Sequence, residues 1–508
     1  MRGSFFGPDG RYYKAGEMLD YFRSIHSREE FEQKVEGING YFSVVVEMQG
    51  DWLLATDIIR SLPLFYRKTE KGWIITDEAR MASIPADDAM NEEAVLEFSG
   101  TGYVTGAETL IKGLWQVQAG EIVSLGEEAK RHFYFSYRAN SLLNLEEHLL
   151  IEKGLHVLEK TFKRLLESLE GRMVAVPLSG GFDSRLIAVM LKRAGYDKVI
   201  CFSYGRKGNP EARISEKVAE QLAFPWYFVE YNPKLIDAYV SSESFKEYYS
   251  WAANYTSMFF MQEYFAVKYL KENSLVEKNT LFIPGHSGDF IGGSQFAKHG
   301  FSALEESVSN LVDRILSVKY HYHRYTGEDK NKMKKRIAQR LADKGELNTY
   351  FAYSVHEDWD FKEKFAKFNV NSNAIYTFFG FEFRMPFWDR EIVDFFRQLP
   401  VSWKVNKRLY DALLEEYYFK PNEVLFKKEL QSSPIKYAWG RFKKRVKRFL
   451  PPSFINLFTR KEDLLCYREI TAMLQDDLRS KSKKGINAGN RYNRVIIHWY
   501  LQNLENLK

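Results

Sequence analysis

The sequence predicts an α/β protein in which a layered α+β region precedes a parallel sheet with crossover helices. Two patterns support this prediction. Short apolar runs separated by turn residues occupy about the first 135 residues, which is typical of short strands joined by tight turns. From about Leu145, buried strands alternate with amphipathic helices, the order expected of strand–helix–strand units in a parallel sheet.

Short strands dominate the front of the chain, which we place at residues 1–140. The runs at 40–48 (GYFSVVVEM) and 51–56 (DWLLAT) flank a Gln-Gly-Asp turn and predict a β-hairpin. Further strands are predicted at 64–66, 72–76 and 121–125, and helices at 18–22 and 92–98. A region that mixes short strands and helices is expected to fold as an α+β domain.

Strands and helices alternate in the second region, which we place at residues 145–430. A long amphipathic helix over 145–169 leads into a buried strand at 173–178 (MVAVPL). The predicted order continues with a helix at 185–194, a strand at 199–204, a helix at 214–222 and strands at 226–230 and 280–283. The rest of this region is predicted to be mostly helical, and residues 431–508 to form a basic, helical C-terminal extension.

Composition narrows the class of protein before any motif is considered. The 508 residues are 45% hydrophobic and carry a net charge of +6, which indicates a folded chain without a strong preference for nucleic acid. The two cysteines, Cys201 and Cys466, exclude a disulfide scaffold or a cysteine-rich metal site. Neither a signal peptide nor an apolar run long enough for a transmembrane helix is visible, so we expect a cytoplasmic protein.

A Gly-rich hexapeptide at 179–184 (SGGFDS) lies between the strand at 173–178 and the helix that follows it. Glycines let the backbone approach an anion, and the N-terminus of the helix adds N–H donors and a favourable dipole. Asp183 would repel phosphate unless a cation bridges the two, which predicts Mg²⁺. The loop lacks the Gly-Lys-Ser/Thr element of a Walker loop, so we expect another kind of phosphate-binding loop.

A second Gly-rich loop, FIPGHSGDFIGG at 282–293, follows the strand predicted at 280–283 and contains another carboxylate, Asp289. Ligands of open parallel sheets bind outside the carboxyl ends of the strands. Asp183 and Asp289 are therefore expected to lie at the same edge of the sheet and to share one Mg²⁺ on a nucleoside triphosphate.

Four ordered motifs resemble the class B, glutamine-dependent asparagine synthetases. They are SGGFDS at 179–184, GHSGD at 285–289, GFEFRMPFWD at 380–389 and NEVLFKKE at 422–429. The first also resembles the pyrophosphate loop of the PP-loop ATP pyrophosphatases. Segments of the front region resemble the family's glutamine amidotransferase domain, at 39–46, 55–66 and 108–123.

The resemblance implies an Ntn-amidotransferase-like α+β domain followed by a PP-loop domain of the adenine nucleotide α-hydrolase type, with ATP and Mg²⁺ as cofactors. Asp183 and Asp289 would bind Mg²⁺, and Lys428 would stabilise charge as an adenylate forms. The residues that would bind the nucleotide and its pyrophosphate are Leu178, Ser179, Gly180, Gly181, Asp183, Ser184, Tyr204, Pro284 and Gly285.

Two positions depart from the family pattern. The family's glutaminase uses an N-terminal cysteine as nucleophile, whereas residue 2 here is Arg; a truncated or misassigned start is the alternative explanation. We predict that residues 1–140 form a degenerate amidotransferase domain that does not hydrolyse glutamine.

His286 stands where asparagine synthetases have Glu and β-lactam synthetases have a Tyr base. His286 and Glu382 are predicted to form a general-base dyad, the alternative being that His286 only hydrogen-bonds phosphate or backbone.

The predicted function is ATP-dependent amide formation. A substrate carboxylate would be activated as an acyl-adenylate with release of pyrophosphate, and then captured by an amine or ammonia. The carboxylate could belong to aspartate, to a uronate of a polysaccharide, or to a peptide or small molecule closed intramolecularly, as in the β-lactam synthetase and peptide cyclase branch. A non-catalytic, regulatory nucleotide-binding pseudoenzyme is the alternative of another class.

Weaker patterns concern partners. Residues 441–460 begin with a basic run and continue with an apolar stretch, so they could contact anionic lipid or a polyanionic substrate, or form a solvated helix face. Aromatic residues at 248–258 could line an acceptor pocket or belong to the core. We expect no nucleic-acid partner and no integral membrane segment, and a homodimer is compatible with the sequence.

Overall fold

The computed structural model describes residues 1–83, 88–299, 307–342, 350–426, 463–481 and 492–506. Two antiparallel sheets form the front region, and one parallel sheet lies in the second. The chain is thus a mixed α/β protein with a parallel sheet, as predicted. Among the described helices, none combines the length and the apolar character that crossing a bilayer requires.

The described residues of the front region contain nine short strands, three α-helices and a short 3₁₀ helix at Ala79–Ala82. The strands are β1 Arg2–Phe6, β2 Tyr12–Lys14, β3 Asn39–Met48, β4 Asp51–Thr56, β5 Phe65–Thr69, β6 Gly72–Thr76, β7 Leu114–Gln116, β8 Glu121–Leu125 and β9 Ala129–Phe133. The helices are α1 Gly16–Phe22, α2 Arg28–Gly37 and α3 Glu92–Thr101. The larger sheet has the order β2-β1-β3-β4-β8-β9 and the smaller one the order β6-β5-β7.

The predicted hairpin at the start of the chain is confirmed, because β3 pairs antiparallel with β4 up to Met48 and Asp51. Helices α1 and α2 cover one face of the larger sheet, where Met18, Phe31 and Val35 pack against Phe5 and its neighbours. The strand predicted at 64–66 is β5, which extends to Thr69 because it pairs with β6 across a tight turn. Strands β1, β2, β7 and β9 and helix α2 were not anticipated from the sequence.

The parallel sheet of the second region has the order β12-β11-β10-β13-β14. Its strands are β10 Val174–Pro177, β11 Val199–Gly205, β12 Trp226–Glu230, β13 Leu281–Phe282 and β14 Glu382–Phe383. Val174, Ala175 and Val176 in the central strand are fully buried, as expected when helices cover both faces of a parallel sheet.

Helices make up most of the remaining described residues. They are α4 Glu147–Leu169, α5 Phe182–Arg193, α6 Pro210–Gln221, α7 Pro233–Val240, α8 Glu243–Ala253, α9 Tyr264–Glu272, α10 Gly288–Gly292, α11 Ser294–His299, α12 Val308–Lys319, α13 Gly327–Ala342, α14 Ala352–Trp359, α15 Ala374–Phe378, α16 Arg390–Arg397, α17 Val401–Lys404 and α18 Arg408–Leu414. Two π-helices, Asp360–Asn369 and Glu415–Phe419, follow α14 and α18. The C-terminal helices are Tyr467–Lys481 and Tyr492–Asn506.

Buried ion pairs join the front region to the helices of the second. Asp358 on α14 accepts hydrogen bonds from the Tyr137 N–H at 2.9 Å and from Arg138 Nε at 3.2 Å, and the Arg138 and Asp358 side chains are 1% exposed. Glu97 on α3 is also buried and accepts from Tyr320 and Arg336. The front region is therefore anchored by charges that could not be left unpaired without a large penalty.

Replacing Asp358 with Ala should lower the free energy of unfolding by about 3–5 kcal/mol, because the buried Arg138 guanidinium would lose its carboxylate partner. Urea unfolding followed by circular dichroism measures this change. Asp20→Ala is the matched control, since the Asp20–Arg23 pair lies on the surface and is exposed to solvent. Equal effects of the two substitutions would contradict the proposed anchor.

Candidate functional site

The candidate site lies at the carboxyl edge of the parallel sheet, where the loop after β10 leads into α5. Leu178 continues the pairing with β11, because its N–H donates to the Phe202 carbonyl at 2.8 Å. Helix α5 begins at Phe182 and has Gly181 as its N-cap. A glycine cap carries no side chain to occupy the first N–H groups of the helix, so these groups remain suited to an anion.

Two serines hold the phosphate loop in shape. The Ser179 N–H donates to Ser184 Oγ at 3.0 Å, and the Gly181 N–H donates to Ser179 Oγ at 3.1 Å. The two hydroxyl oxygens are themselves 3.2 Å apart. The loop thus concentrates hydroxyl groups and backbone donors on one small volume, and a phosphate oxygen could replace the Ser179 hydroxyl as acceptor of the Gly181 N–H.

Arg185 connects this loop to a distant segment, a role that the sequence did not reveal. One terminal nitrogen of its guanidinium donates to the Gly180 carbonyl at 2.8 Å and the other to the Val424 carbonyl at 2.9 Å. The guanidinium also lies over the rings of Phe182 and Phe419. A trans peptide directs its C=O and N–H to opposite sides. By holding the Gly180 carbonyl, Arg185 therefore fixes the direction of the Gly181 N–H.

The two candidate metal ligands lie together. Asp183 Oδ2 accepts the backbone N–H of Asp289 at 2.8 Å, and Asp183 Oδ1 accepts the Tyr410 hydroxyl at 2.9 Å. Burial, followed by the nearby charge of Asp289, raises the pKa of Asp183 to about 7. This raised pKa indicates a carboxylate placed where negative charge is unfavourable until a cation or another donor compensates it.

Close approach of the two loops depends on glycines. A Cβ added at Gly285 would lie 2.4 Å from the Ser184 nitrogen, and one at Gly288 would lie 2.6 Å from Asp183 Cγ. Neither position has room for a side chain. Pro284 and Gly285 begin the second loop, so the predicted nucleotide-binding backbone lies directly against the phosphate loop.

Lys407 is a second functional candidate that the sequence did not reveal. Its Nζ donates to Asp289 Oδ1 at 2.7 Å and lies 3.0 Å from Asp411 Oδ1. Burial alone would lower the pKa of Lys407, but the carboxylates of Asp411 and Asp289 outweigh burial and raise it. Asn406 and Lys407 both have a φ of 56°, a left-handed conformation that costs energy in residues with a side chain and often occurs at functional sites.

The donor set suits Mg²⁺ bound together with phosphate. Asp183 and Asp289 offer carboxylate oxygens, which Mg²⁺ prefers, and the Lys407 ammonium shows that this place accepts positive charge. Among the described residues, no group of three or more His, Cys, Asp or Glu could hold a metal by itself. Phosphate oxygens and water would therefore have to complete the coordination.

A cavity of about 480 Å³ adjoins the phosphate loop at the ends of β10 and β11. Leu178, Ser179 and Tyr204, all three predicted to bind the nucleotide, line it, together with Gln262. The Tyr204 ring stacks on Tyr231 with centroids 5.3 Å apart. A cavity of this size with aromatic walls and a few polar groups is typical of sites for small organic ligands.

His286 lies in the second loop, with its Nε2 buried and without a hydrogen-bond partner among the described residues. Burial lowers the pKa of His286 to about 4, against the raising effect of a hydrogen bond with Asn373. The imidazole is therefore neutral near pH 7. A buried polar atom without a hydrogen-bond partner costs free energy. This cost suggests that His286 Nε2 forms its hydrogen bond with a ligand.

Glu382 does not meet His286, so the predicted dyad is not formed. Glu382 Oε1 accepts from Arg172 at 2.7 Å, and Oε2 accepts from Arg384 at 3.3 Å. Strand β14 pairs with β13 so that Glu382 lies opposite Leu281, at the beginning of both strands. His286 follows the end of β13. Parallel pairing thus separates the two residues toward opposite edges of the sheet.

The remaining candidates have different outcomes. Lys428 and residues 441–460 lie outside the described residues, and so does all of the predicted extension before residue 463. Tyr248 is fully buried and stacks on Tyr264 with ring centroids 4.7 Å apart. Of the two interpretations of the aromatic residues at 248–258, Tyr248 supports the core.

The parallel sheet carries an anion-binding loop at the end of its central strand and a second, carboxylate-bearing loop beside it. This arrangement is typical of α/β proteins that bind a phosphorylated ligand. Residues 155–499 match the family model of asparagine synthase. The chain belongs to the asparagine synthase family, a family of ATP-dependent carbon–nitrogen ligases. Among curated proteins, none matches the chain.

Similar solved structures include an NH3-dependent NAD synthetase from Campylobacter jejuni, at 16% identity over 39% of this chain and 90% of that chain, with a TM-score of 0.20. An NMN synthetase from Francisella tularensis is 13% identical over 40% of this chain and 90% of that chain, with a TM-score of 0.20. An NAD+ synthetase from Burkholderia pseudomallei is 13% identical over 41% of this chain and 87% of that chain, with a TM-score of 0.20. Identities and TM-scores this low support no inference about what this chain acts on.

Arg185→Lys should weaken the binding of Mg·ATP by roughly tenfold, because one ammonium group cannot reproduce the fork that spans the two carbonyls. Isothermal titration calorimetry measures the affinity, and a thermal melt verifies that the variant is folded. Arg193→Lys is the matched control, since Arg193 lies on the same helix and its side chain is 42% exposed. Unchanged affinity in Arg185→Lys would show that the guanidinium does not preset the loop.

Proposed function

We propose that this protein is an AMP-forming amide ligase that activates a carboxylate as an acyl-adenylate and transfers the acyl group to nitrogen. The observation that carries the proposal is the meeting of Asp183, Asp289 and Lys407 beside a phosphate loop and a nucleotide-sized cavity. The family to which the chain belongs supports the same class of reaction.

The first step is attack by an oxygen of the substrate carboxylate on the α-phosphorus of ATP, with pyrophosphate as leaving group. The Gly181 N–H and the hydroxyls of Ser179 and Ser184 bind the phosphates that leave. Asp183 and Asp289 would hold Mg²⁺, which supplies positive charge to the phosphate oxygens. The Lys407 ammonium, bonded to Asp289 in the free protein, lies where it can move to a phosphate oxygen as charge develops there. Lys428 is proposed to assist as a second cation.

The second step is attack of an amine or ammonia on the acyl carbon, which forms the amide and releases AMP. The nitrogen loses a proton in this step, and His286 is proposed as its acceptor through the buried Nε2. A pKa of about 4 in the free protein is low for a base. The negative charge of a bound adenylate would raise the pKa of His286 toward the working range.

The front region is proposed to be a degenerate amidotransferase domain of the Ntn type, placing the chain among relatives of the class B asparagine synthetases with features of the β-lactam synthetase and peptide cyclase branch. Arg2 begins β1 and its half-exposed side chain pairs with Asp77, and the cysteines of the sequence, Cys201 and Cys466, both lie outside this region. We therefore propose that free ammonia or an amine of the substrate supplies the nitrogen, without glutamine hydrolysis.

We also make proposals for the acceptor, the partners and the location of the protein. Aspartate, a polysaccharide uronate and a peptide or small-molecule carboxylate all fit an acyl-adenylate mechanism. We propose that the protein works in the cytoplasm. We also propose that its domains are residues 1–140 and 145–430, with residues 431–508 as a C-terminal extension. A homodimer and a peripheral contact through 441–460 are the further proposals.

Asp183→Asn should abolish the conversion of ATP to AMP and pyrophosphate in the presence of an accepted acid, because the amide cannot supply the charge that Mg²⁺ requires. Acid-dependent ATP–pyrophosphate exchange over a panel of carboxylic acids, including aspartate and a uronate, measures this step. Asp197→Asn is the control, since Asp197 is exposed between α5 and β11 at the opposite edge of the sheet. Formation of ADP and phosphate by the wild-type protein would refute the mechanism.

His286→Gln should separate the two steps. Amide formation is expected to fall by roughly 10²–10⁴-fold, the usual contribution of a general base, while ATP–pyrophosphate exchange stays within about threefold of the wild-type rate. Both rates are measured on the same acid, with the amide quantified by mass spectrometry. If exchange and amide formation fall together, His286 serves nucleotide binding and not proton transfer.

A further inference from the structure

The cavity beside the phosphate loop is closed on one side by residues from the far end of the chain. Asp463, Leu464, Leu465 and Tyr467 line it together with the strand ends. We infer that this C-terminal wall, residues 463–467, together with Gln262, forms the base-binding subsite of the nucleotide cavity and selects adenine. The inference rests on the proposed function, because it takes this cavity to be the site of ATP.

The wall is fastened to the end of β11 by backbone and side-chain bonds. The Arg206 N–H donates to the Leu464 carbonyl at 2.7 Å, and Arg206 Nε donates to the Asp463 carbonyl at 2.8 Å. Cys466 is fully buried and its Sγ donates to the Tyr231 carbonyl at 3.2 Å. These bonds make the wall a fixed part of the sheet's carboxyl edge.

Asp463 also ties the wall to the helix behind it. Its carboxylate accepts the backbone N–H groups of Tyr467 at 3.0 Å and Arg468 at 2.9 Å, and its side chain is 4% exposed. An acidic side chain that accepts the first N–H groups of a helix is a stabilising N-terminal cap. Tyr467, whose backbone N–H the cap accepts, lines the cavity.

Gly205, the last residue of β11, permits this approach. Its φ is +126°, and a Cβ added there would lie 2.5 Å from the Leu464 carbonyl oxygen. An alanine at this position would therefore push the wall away from the strand and would also strain the backbone. The position of the wall depends on the absence of one methyl group.

Gln262 supplies the chemistry that a purine base needs. Its Oε1 accepts the Tyr467 hydroxyl at 3.2 Å, and its side chain also bonds with the Tyr204 hydroxyl. A primary amide has two N–H donors and two acceptor lone pairs. The Tyr467 hydroxyl occupies one lone pair, and when the Gln262 amide donates to the Tyr204 oxygen, one donor and one acceptor remain for a ligand. That combination matches adenine, whose N6 amino group and ring N7 form a bidentate pair with glutamine or asparagine amides.

The surrounding aromatic rings favour a flat ligand. Tyr204 stacks on Tyr231, and Tyr467 stacks on Tyr492 with ring centroids 5.5 Å apart. Tyr204, Tyr467 and Tyr492 all line the cavity. Ser179 of the phosphate loop lines the same cavity, so a base held by Gln262 and a phosphate held by the loop would share one cavity.

The first experiment compares Gly205→Ala with the wild-type protein in binding Mg·ATP and inorganic triphosphate with Mg²⁺, by isothermal titration calorimetry. We expect ATP to bind roughly tenfold more weakly and inorganic triphosphate to bind unchanged, since only ATP carries a base. Gly195→Ala is the matched control, because Gly195 also has a positive φ, +66°, but nothing within 4 Å of an added Cβ. Equal weakening of both ligands, or of neither, would overturn the inference.

A second variant keeps the test decisive if Gly205→Ala does not fold. Gln262→Met should reduce the preference for ATP over inosine triphosphate at least fivefold, because inosine lacks the N6 amino group. An unchanged preference would also overturn the inference. If the wild-type protein binds inorganic triphosphate but no nucleoside triphosphate, the proposed function fails. ATP binding with unaltered base preference in Gln262→Met leaves the proposed function standing and removes only the role of Gln262 and the wall.

Discussion

Repulsion between two neighbouring carboxylates is the constraint on which the rest of the site depends. Asp183 lies beside Asp289, and its burial, followed by the charge of Asp289, raises the pKa of Asp183 to about 7. Three donors compensate this charge. The Tyr410 hydroxyl and the Asp289 backbone N–H donate to Asp183, and the Lys407 ammonium donates to Asp289. Two neighbouring carboxylates are suited to bind a cation together with a polyphosphate, because the positive charge of the cation compensates the negative charges of both.

Short distances between backbones set the shape of the site. Gly285 and Gly288 let the second loop lie against the first, and Gly205 lets the C-terminal wall approach β11. Arg185 adds a connection that no glycine could provide, since it binds carbonyls that are far apart in the sequence. The phosphate end and the far end of the cavity are thus each held by a contact between distant parts of the chain.

Prediction from the sequence succeeded where the signal is local. The order of strands and helices around 174–230 and the contents of the Gly-rich loops follow from patterns within a few residues, and the structure has them. The pairing of His286 with Glu382 was wrong, because the register of β14 against β13 lies outside any local pattern. Lys407 was missed for a similar reason: no motif surrounds it, and its left-handed backbone becomes visible only in the folded chain.

The sequence by itself determined that an anion-binding loop follows a buried strand and that a second carboxylate loop comes later, because glycine content and hydrophobic periodicity are properties of neighbouring residues. Only the tertiary structure decided which charges face those loops. Asp289 and Tyr410 reach Asp183, and Lys407 reaches Asp289, through the packing of α10 and α18 on the sheet. Likewise, residues 463–467 line the cavity although they are separated in the sequence from Tyr204 by more than half of the chain. Burial and chain topology bring these segments together.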